Sequence, residues 1–187
     1  GMVLICGPTG SGKSTTLYSV LNILNHPEVN IVTVEDPIEY DIKFINQTQI
    51  NPTTGITFAA GLRAILRQDP NIIMVGEIRD AETAEIAVQS ALTGHMVLSS
   101  LHTNDASTAI PRFMDLEIQP FLAAAVLNAV IAQRLVRKIC SECIYSYAPS
   151  EELIIALTKQ VKELKITDTF KMPKSIYAGK GCSACGD

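Results

Sequence analysis

The chain has no tryptophan, only 5% aromatic residues and only 18% charged residues. So few rings leave little platform for stacking nucleic-acid bases. Its longest apolar run, 121–132 with Asn128 interrupting it, falls short of the roughly 20 residues a spanning helix needs. No basic segment followed by an apolar stretch opens the sequence, so no secretory leader is read. Internal repeats and low-complexity segments are missing too. What is there is 47% hydrophobic over 187 residues, which excludes a disordered or collagen-like chain. That length suits one domain with its own core and a small appended module. The sequence begins inside a strand-like run and ends two residues after a cysteine, as expected of a piece of a longer protein.

Charge divides along the chain. Residues 1–133 carry six Lys/Arg against thirteen Asp/Glu, whereas 134–187 carry nine against six. The acidic part argues against a nucleic-acid surface, which needs clustered cations. The basic tail, with Arg134, Arg137, Lys138 and Lys159 onward, could face an acidic partner or anionic lipid, or be a solvated helix face. The change near residue 138 marks a module boundary, giving expected domains of 1–138 and 139–187.

Buried strands are expected at 2–6, 31–34, 72–75 and 96–100, from unbroken apolar or β-branched runs. Helices are expected at 13–25, 57–68, 80–93, 105–116 and 120–138, with Gly94 stopping the third. A short hairpin is expected over 42–50. Strands alternating with helices imply an α/β fold, a mainly parallel sheet covered on both faces.

Between the first strand and first helix, Gly7, Pro8, Thr9, Gly10, Ser11, Gly12, Lys13 and Ser14 match G-x-x-x-x-G-K-[ST], and Thr15 follows. Such a loop turns backbone N–H groups inward around a phosphate, with the helix dipole on the same anion. Lys13 would reach the β and γ phosphates, and the Ser14 hydroxyl would hold Mg²⁺. The motif in this context means a P-loop triphosphatase or phosphotransferase.

In open α/β sheets, ligands bind beyond the carboxyl ends of the strands. Glu35, Asp36 and Glu39 follow the second strand and Glu77 the third. Glu77 would hold Mg²⁺ through a water, and a carboxylate in the first group could polarise an attacking water. Asp36 and Glu39 are equally well read as a solvated turn. His102 follows the fourth strand, on the nucleotide side, where it could donate to a γ-phosphate oxygen. His95 precedes that strand. A straight strand separates the two by about 20 Å, so they cannot share one nucleotide, and His95 would sit at the other sheet edge or at a subunit interface, or be a satisfied buried histidine.

Cys6 sits in the first strand and is read as core. The other four form Cys140-Ser-Glu-Cys143 and Cys182-Ser-Ala-Cys185, 38 residues apart. Four thiolates are what a closed structural zinc site needs. Gly181 and Gly186 suit a tight knuckle, and the intervening 150–165 helix must loop out. Two disulfides or unliganded thiols are the alternatives.

Together, the loop 7–14, the stretch 31–39, Gly61 to Pro70, Val75 to Asp80, Thr93-Gly-His95 and His102 to Asp105 resemble the type II/IV secretion ATPase superfamily, in the order of its Walker A, Asp-box, Walker B and His-box motifs. The four-cysteine element is similar to that of the type II secretion and type IV pilus assembly branch. The resemblance implies the C-terminal RecA-like domain of a cytoplasmic homo-hexamer at the inner face of the bacterial membrane, using ATP, Mg²⁺ and structural Zn²⁺. Such a motor drives pilin or pseudopilin assembly through an inner-membrane platform protein and associated cytoplasmic proteins, without nucleic acid. It implies Glu35 as the water-activating glutamate, Glu77 as the Walker B acid, and His102 with His95 as the His-box pair. Cys140, Cys143, Cys182 and Cys185 would bind zinc. The family's N-terminal domain, which supplies arginines to the nucleotide, lies outside this sequence, so weak hydrolysis by the isolated chain is expected. Arg63, Arg67, Arg79 and Arg134 are in-chain candidates for phosphate or interface contacts. Competing readings are a RecA-like motor translocating nucleic acid, a small-molecule kinase, and a non-enzymatic nucleotide switch.

Overall fold

The apolar runs become strands where the side-chain alternation can bury both faces. A computed structural model describes residues 1–166 and 169–185 and divides into two units, Gly1–Leu135 and Val136–Asp187. The first unit runs β1 (Met2–Cys6), α1 (Lys13–Leu24), β2 (Ile31–Glu35), β3 (Asn46–Gln49), α2 (Phe58–Ile65), β4 (Ile72–Val75), α3 (Ala81–Leu92), β5 (Met96–Leu101), α4 (Ala106–Asp115), α5 (Pro120–Val126) and β6 (Leu127–Ala132). Its sheet has the order β3-β2-β4-β5-β1-β6, and every pairing is parallel. The expected α/β architecture is therefore present.

Period-2 alternation sorts the strands between two cores. Leu4, Cys6, Val32, Val34, Ile73, Val75 and Val97 pack with Leu62, Ala87, Val88 and Phe113, which come from α2, α3 and α4. Ile5, Ile31, Met74 and Leu98 pack with Leu17, Tyr18 and Leu21 of α1. Helix starts follow their caps. Thr57 accepts from the Ala60 N–H at 3.1 Å, Asp80 from Thr83 at 2.8 Å and Asp105 from Thr108 at 2.8 Å, each satisfying a first-turn donor.

Two expectations are corrected. The 42–50 segment is not a hairpin, because residues 46–49 add to β2 as a parallel edge strand, Val32 opposite Asn46. Asn46, Gln47, Thr48 and Gln49 show no apolar alternation because an edge strand can leave both faces partly wet. The 120–138 helix stops at Val126, and residues 127–132 pair with β1 instead, Val3 opposite Ala129 and Cys6 opposite Ala132. An apolar run carries no period that separates helix from buried strand. Pairing with the edge of β1 and the β-branched Val130 and Ile131 decide it.

The second unit contains β7 (Ile144–Tyr147), α6 (Glu151–Glu163) and β8 (Ile176–Gly179). β7 and β8 are antiparallel, Ile144 opposite Gly179 and Tyr147 opposite Ile176. Ser150 caps α6 by accepting from the Leu153 N–H at 3.3 Å. Among the described residues of this unit, none is fully buried. Among the described residues of the chain, no helix is long and apolar enough to cross a membrane.

Candidate functional site

The carboxyl ends of β1, β2, β4 and β5 open onto one cleft of about 640 Å³, lined by Lys13, Ser14, Tyr18, Glu35, Asp36, Tyr40, Phe58, Glu77, Arg79 and His102 among others. The Gly-rich loop forms one wall. Gly7 has φ +149°, and a Cβ there would sit 2.4 Å from the Gln133 carbonyl oxygen and 2.7 Å from Ser11 Oγ. Only glycine meets both demands. Gly12 caps α1 at φ +86° without a side-chain hydrogen bond, and no acidic residue stands in the first turn. The first-turn N–H groups of α1 therefore keep the positive end of the helix for an anion. Lys13 Nζ donates to the carbonyls of Gly7 at 3.0 Å and Pro8 at 3.2 Å, curling the ammonium over the loop.

Glu35 ends β2 and is 3% exposed. Its Oε1 accepts from Thr33 Oγ1 at 2.6 Å and from Gln47 Nε2 at 2.9 Å, and its Oε2 accepts from the Tyr18 hydroxyl. Buried carboxylate oxygens need such donors in place of water. Burial, with the Glu35 carboxylate beside it, pushes the Tyr18 phenol up to about 12. The same hydroxyl accepts from the Glu39 N–H at 3.0 Å, tying the loop after β2 to α1.

Glu77, 8% exposed, follows β4. It pairs with the Arg79 guanidinium and with His102 Nε2, the latter at 2.9 Å. Donating a hydrogen bond to Glu77 raises the Arg79 pKa above its ordinary value. Of the four candidate arginines, Arg79 alone lines this cleft among the described residues. Arg63 pairs with Glu82 at 2.7 Å, and Arg134 donates to the Asn104 carbonyl at 3.0 Å. His95 lies before β5, away from the cleft lining, its Nδ1 within 3.0 Å of the Ser90 carbonyl oxygen and 3.2 Å of Thr93 Oγ1. The geometry thus brings Glu35, Glu77 and His102 to the loop and leaves His95 at the opposite strand end.

Three residues of this region escaped sequence reading. Tyr18 carries no motif signal within α1, although a buried tyrosine usually has a partner for its hydroxyl. Gln47 lay in the misread hairpin and Gln133 in the misread helix. Nothing local marks either glutamine, because each finds its partners through strand pairing.

The second unit holds its own cluster. The Sγ atoms of Cys140, Cys143, Cys182 and Cys185 all lie within 4.8 Å of one another, with Cys140–Cys182 and Cys143–Cys185 at 3.9 Å and Cys182–Cys185 at 3.7 Å. A disulfide requires about 2.05 Å. Tetrahedral Zn–S bonds of about 2.3 Å place sulfurs about 3.8 Å apart, which these three separations match. The β7–β8 pairing makes the cluster, bringing the knuckle before β7 to the one after β8. Lys180 N–H donates to the Cys143 carbonyl at 3.1 Å, and Cys185 N–H to that of Cys182 at 3.2 Å. Gly181 has φ +82°, while Gly186 lies outside the described residues.

The family described as "Type II/IV secretion system protein" matches residues 1–187. Type II secretion system ATPase E of Vibrio cholerae is 54% identical over 186 residues, 99% of this chain and 35% of that protein. Type IV pilus assembly ATPase PilB of Thermus thermophilus is 50% identical over 186 residues, covering 100% of this chain and 20% of that protein. The chain thus spans about a third or less of the length of these relatives. Among solved structures, the pilus retraction motor PilT with bound ADP superimposes with a TM-score of 0.69 at 36% identity, over 89% of this chain and 52% of that one. With the family model matched along the chain that carries this sheet and glycine loop, this chain belongs to the type II/IV secretion system protein family.

Proposed function

We propose that the first unit is the ATP-hydrolysing core of a motor that powers assembly of pilin or pseudopilin filaments, in type II secretion or type IV pilus biogenesis. One observation carries this reading: Lys13, Glu35 and the Glu77–His102 pair, from four separate strand ends, face a single cleft beside the glycine loop.

In this mechanism the backbone N–H groups of Gly7 to Thr15 wrap the polyphosphate. Lys13 exchanges the carbonyls of Gly7 and Pro8 for β- and γ-phosphate oxygens. The Ser14 hydroxyl and, through a water, Glu77 would hold Mg²⁺. When bound, that ion neutralises charge on the β and γ oxygens. Glu35 accepts the proton of the attacking water. Tyr18, Thr33 and Gln47 fix the direction of its carboxylate. His102 orients Glu77 and faces the terminal phosphate. Cys140, Cys143, Cys182 and Cys185 would hold a zinc ion, which would staple residues 139–187, a module separate from the 1–138 core. His95 serves at a subunit boundary.

The working form is a homo-hexamer in which arginines outside this sequence complete each site. Arginine fingers are worth about 10³- to 10⁵-fold in related enzymes, so this chain alone binds MgATP but turns it over slowly. The motor works in the cytoplasm at the inner face of the membrane, against an integral platform protein. The relatives named for type II secretion and type IV pilus assembly support a role in such a system.

Nucleotide titration and turnover assays test the site. Lys13→Ala is expected to reduce MgATP affinity by about 100-fold or more, since a charge-assisted contact to phosphate is lost. Glu77→Gln is expected to bind within about threefold of the parent while hydrolysis stops. Normal turnover by both variants would overturn the assignment.

A further inference from the structure

Gln133 does not line the cleft, yet it bonds to the strand before the glycine loop, to the loop itself and to the helix after it. Its backbone N–H donates to the Cys6 carbonyl at 2.9 Å, extending the β1–β6 ladder by one bond. Its side-chain Nε2 donates to the Ser11 carbonyl at 2.7 Å. Its Oε1 accepts from Thr16 Oγ1, in the first turn of α1, at 2.8 Å. One amide therefore bridges the middle of the loop to the helix that follows.

Two loop glycines are shaped around the same residue. A Cβ on Gly7 would lie 2.4 Å from the Gln133 carbonyl oxygen, and one on Gly12 would lie 3.2 Å from Nε2. Gly10, at the tip, has nothing within 4 Å of such a Cβ. The side chain of Ser11 does not share the task, because its Oγ is buried without a hydrogen-bond partner. The grip on Ser11 is through its backbone carbonyl alone. Turning that carbonyl toward Gln133 turns the peptide N–H on its other side away, toward the concave face where phosphate is expected.

We propose that Gln133 is a positioning residue of the phosphate loop, holding the Ser11 carbonyl outward and the first turn of α1 in register so that the loop N–H groups converge on the polyphosphate. This rests on the nucleotide-binding reading of the loop. Gln133 also stands between the end of β6 and the start of the second unit at Val136, so the residue that sets the loop is three positions before the chain leaves the first unit.

The test is MgADP affinity, measured on the full chain with a fluorescent ADP analogue well below the melting temperature. Gln133→Met keeps the side-chain length and removes both hydrogen bonds. It is expected to weaken MgADP binding by about tenfold or more, in a protein whose folded fraction is unchanged. Thr16→Val, a second variant on a different element, removes one of the two bonds and is expected to weaken binding by about threefold. The double variant is expected to be no weaker than Gln133→Met alone by more than about twofold, because the two changes break one bridge. Parent-like affinity in Gln133→Met, or in Thr16→Val should the former fail to fold, overturns the proposal. So does a melting temperature that falls while the affinity of the folded fraction stays constant, which is what a purely structural role would give. Lys13→Ala is the control. If it binds MgADP as the parent does, the nucleotide reading of the loop has failed. If it does not bind and Gln133→Met does, only the positioning role has failed.

Discussion

Glu35→Gln is expected to lower ATP turnover in the assembled motor by about 10²- to 10⁴-fold, the range for losing a general base. MgATP affinity is expected to stay within about twofold of the parent. The substitution keeps the size of the side chain and removes the carboxylate proposed to take the water's proton. The surroundings amplify the loss. Thr33, Gln47 and Tyr18 all aim donors at this carboxylate, and a neutral amide turns an N–H₂ toward at least one of them. Tyr18→Phe separates orientation from chemistry. It removes one donor and leaves the base, so a fall in kcat of about tenfold with KM unchanged is expected, the size of one hydrogen bond to a charged group. If Glu35→Gln turns over at the parental rate, the proton passes elsewhere and the role of Glu35 is lost. If Tyr18→Phe instead raises KM and spares kcat, Tyr18 belongs to nucleotide binding rather than to the alignment of Glu35.

The Tyr18–Glu35 contact also has a pH signature. Burial and the neighbouring carboxylate raise the folded-state phenol from 10.0 to about 12. The protonated phenol is the form that folding favours, so the stability it contributes is fully present below pH 10. It is lost as pH rises from there through about 12. Tyr18→Phe should flatten that alkaline limb and leave stability between pH 7 and 9 without slope from this group.

Strand, loop and helix at residues 2–25 were legible because each carries its own local signal: an unbroken apolar run, glycines at fixed offsets and a 3.6-residue stripe. Glu35 and Glu77 were legible because the ends of buried strands in a parallel sheet share one rim. The cysteine pairs were legible as chemistry, but not as geometry. The ribbon that joins them, β7 with β8, has exposed or half-exposed residues throughout, so no hydrophobic pattern announced it. β3 was missed for the same reason. β6 was missed for the opposite one, since 121–132 is apolar apart from Asn128 and Val126 is simply where the hydrogen bonding changes partner. Gln133 and Gln47 could not be found locally, because what gives each its role lies on another strand or loop. Their positions depend on register, which one residue of slip would turn to the other face.

Removing zinc is expected to unfold residues 136–187 and leave the sheet of residues 1–135 folded. The second unit has no fully buried side chain among its described residues, so hydrophobic burial offers it little. Among its described residues it has one two-stranded ribbon, which alone is marginal in water, and one capped helix, which is also marginal at that length. Metal binding in zinc-finger peptides supplies about 10–16 kcal/mol of apparent free energy at pH 7, enough to hold such a unit together. Protein purified without added metal should therefore contain one zinc per chain. Its four knuckle thiols should be unreactive until a chelator is added, while Cys6 stays protected in β1 throughout. Chelation should abolish amide protection along β7, α6 and β8 and leave that of β1, β4 and β5 intact, and Cys143→Ser should reproduce the effect without chelator. Protection of β7 and β8 that survives chelation would mean that the ribbon stands on its own side chains. Metal-free protein with four reactive thiols and the same protection would mean that the cysteine cluster holds no ion, and the assembly-branch reading would then rest on the P-loop unit alone.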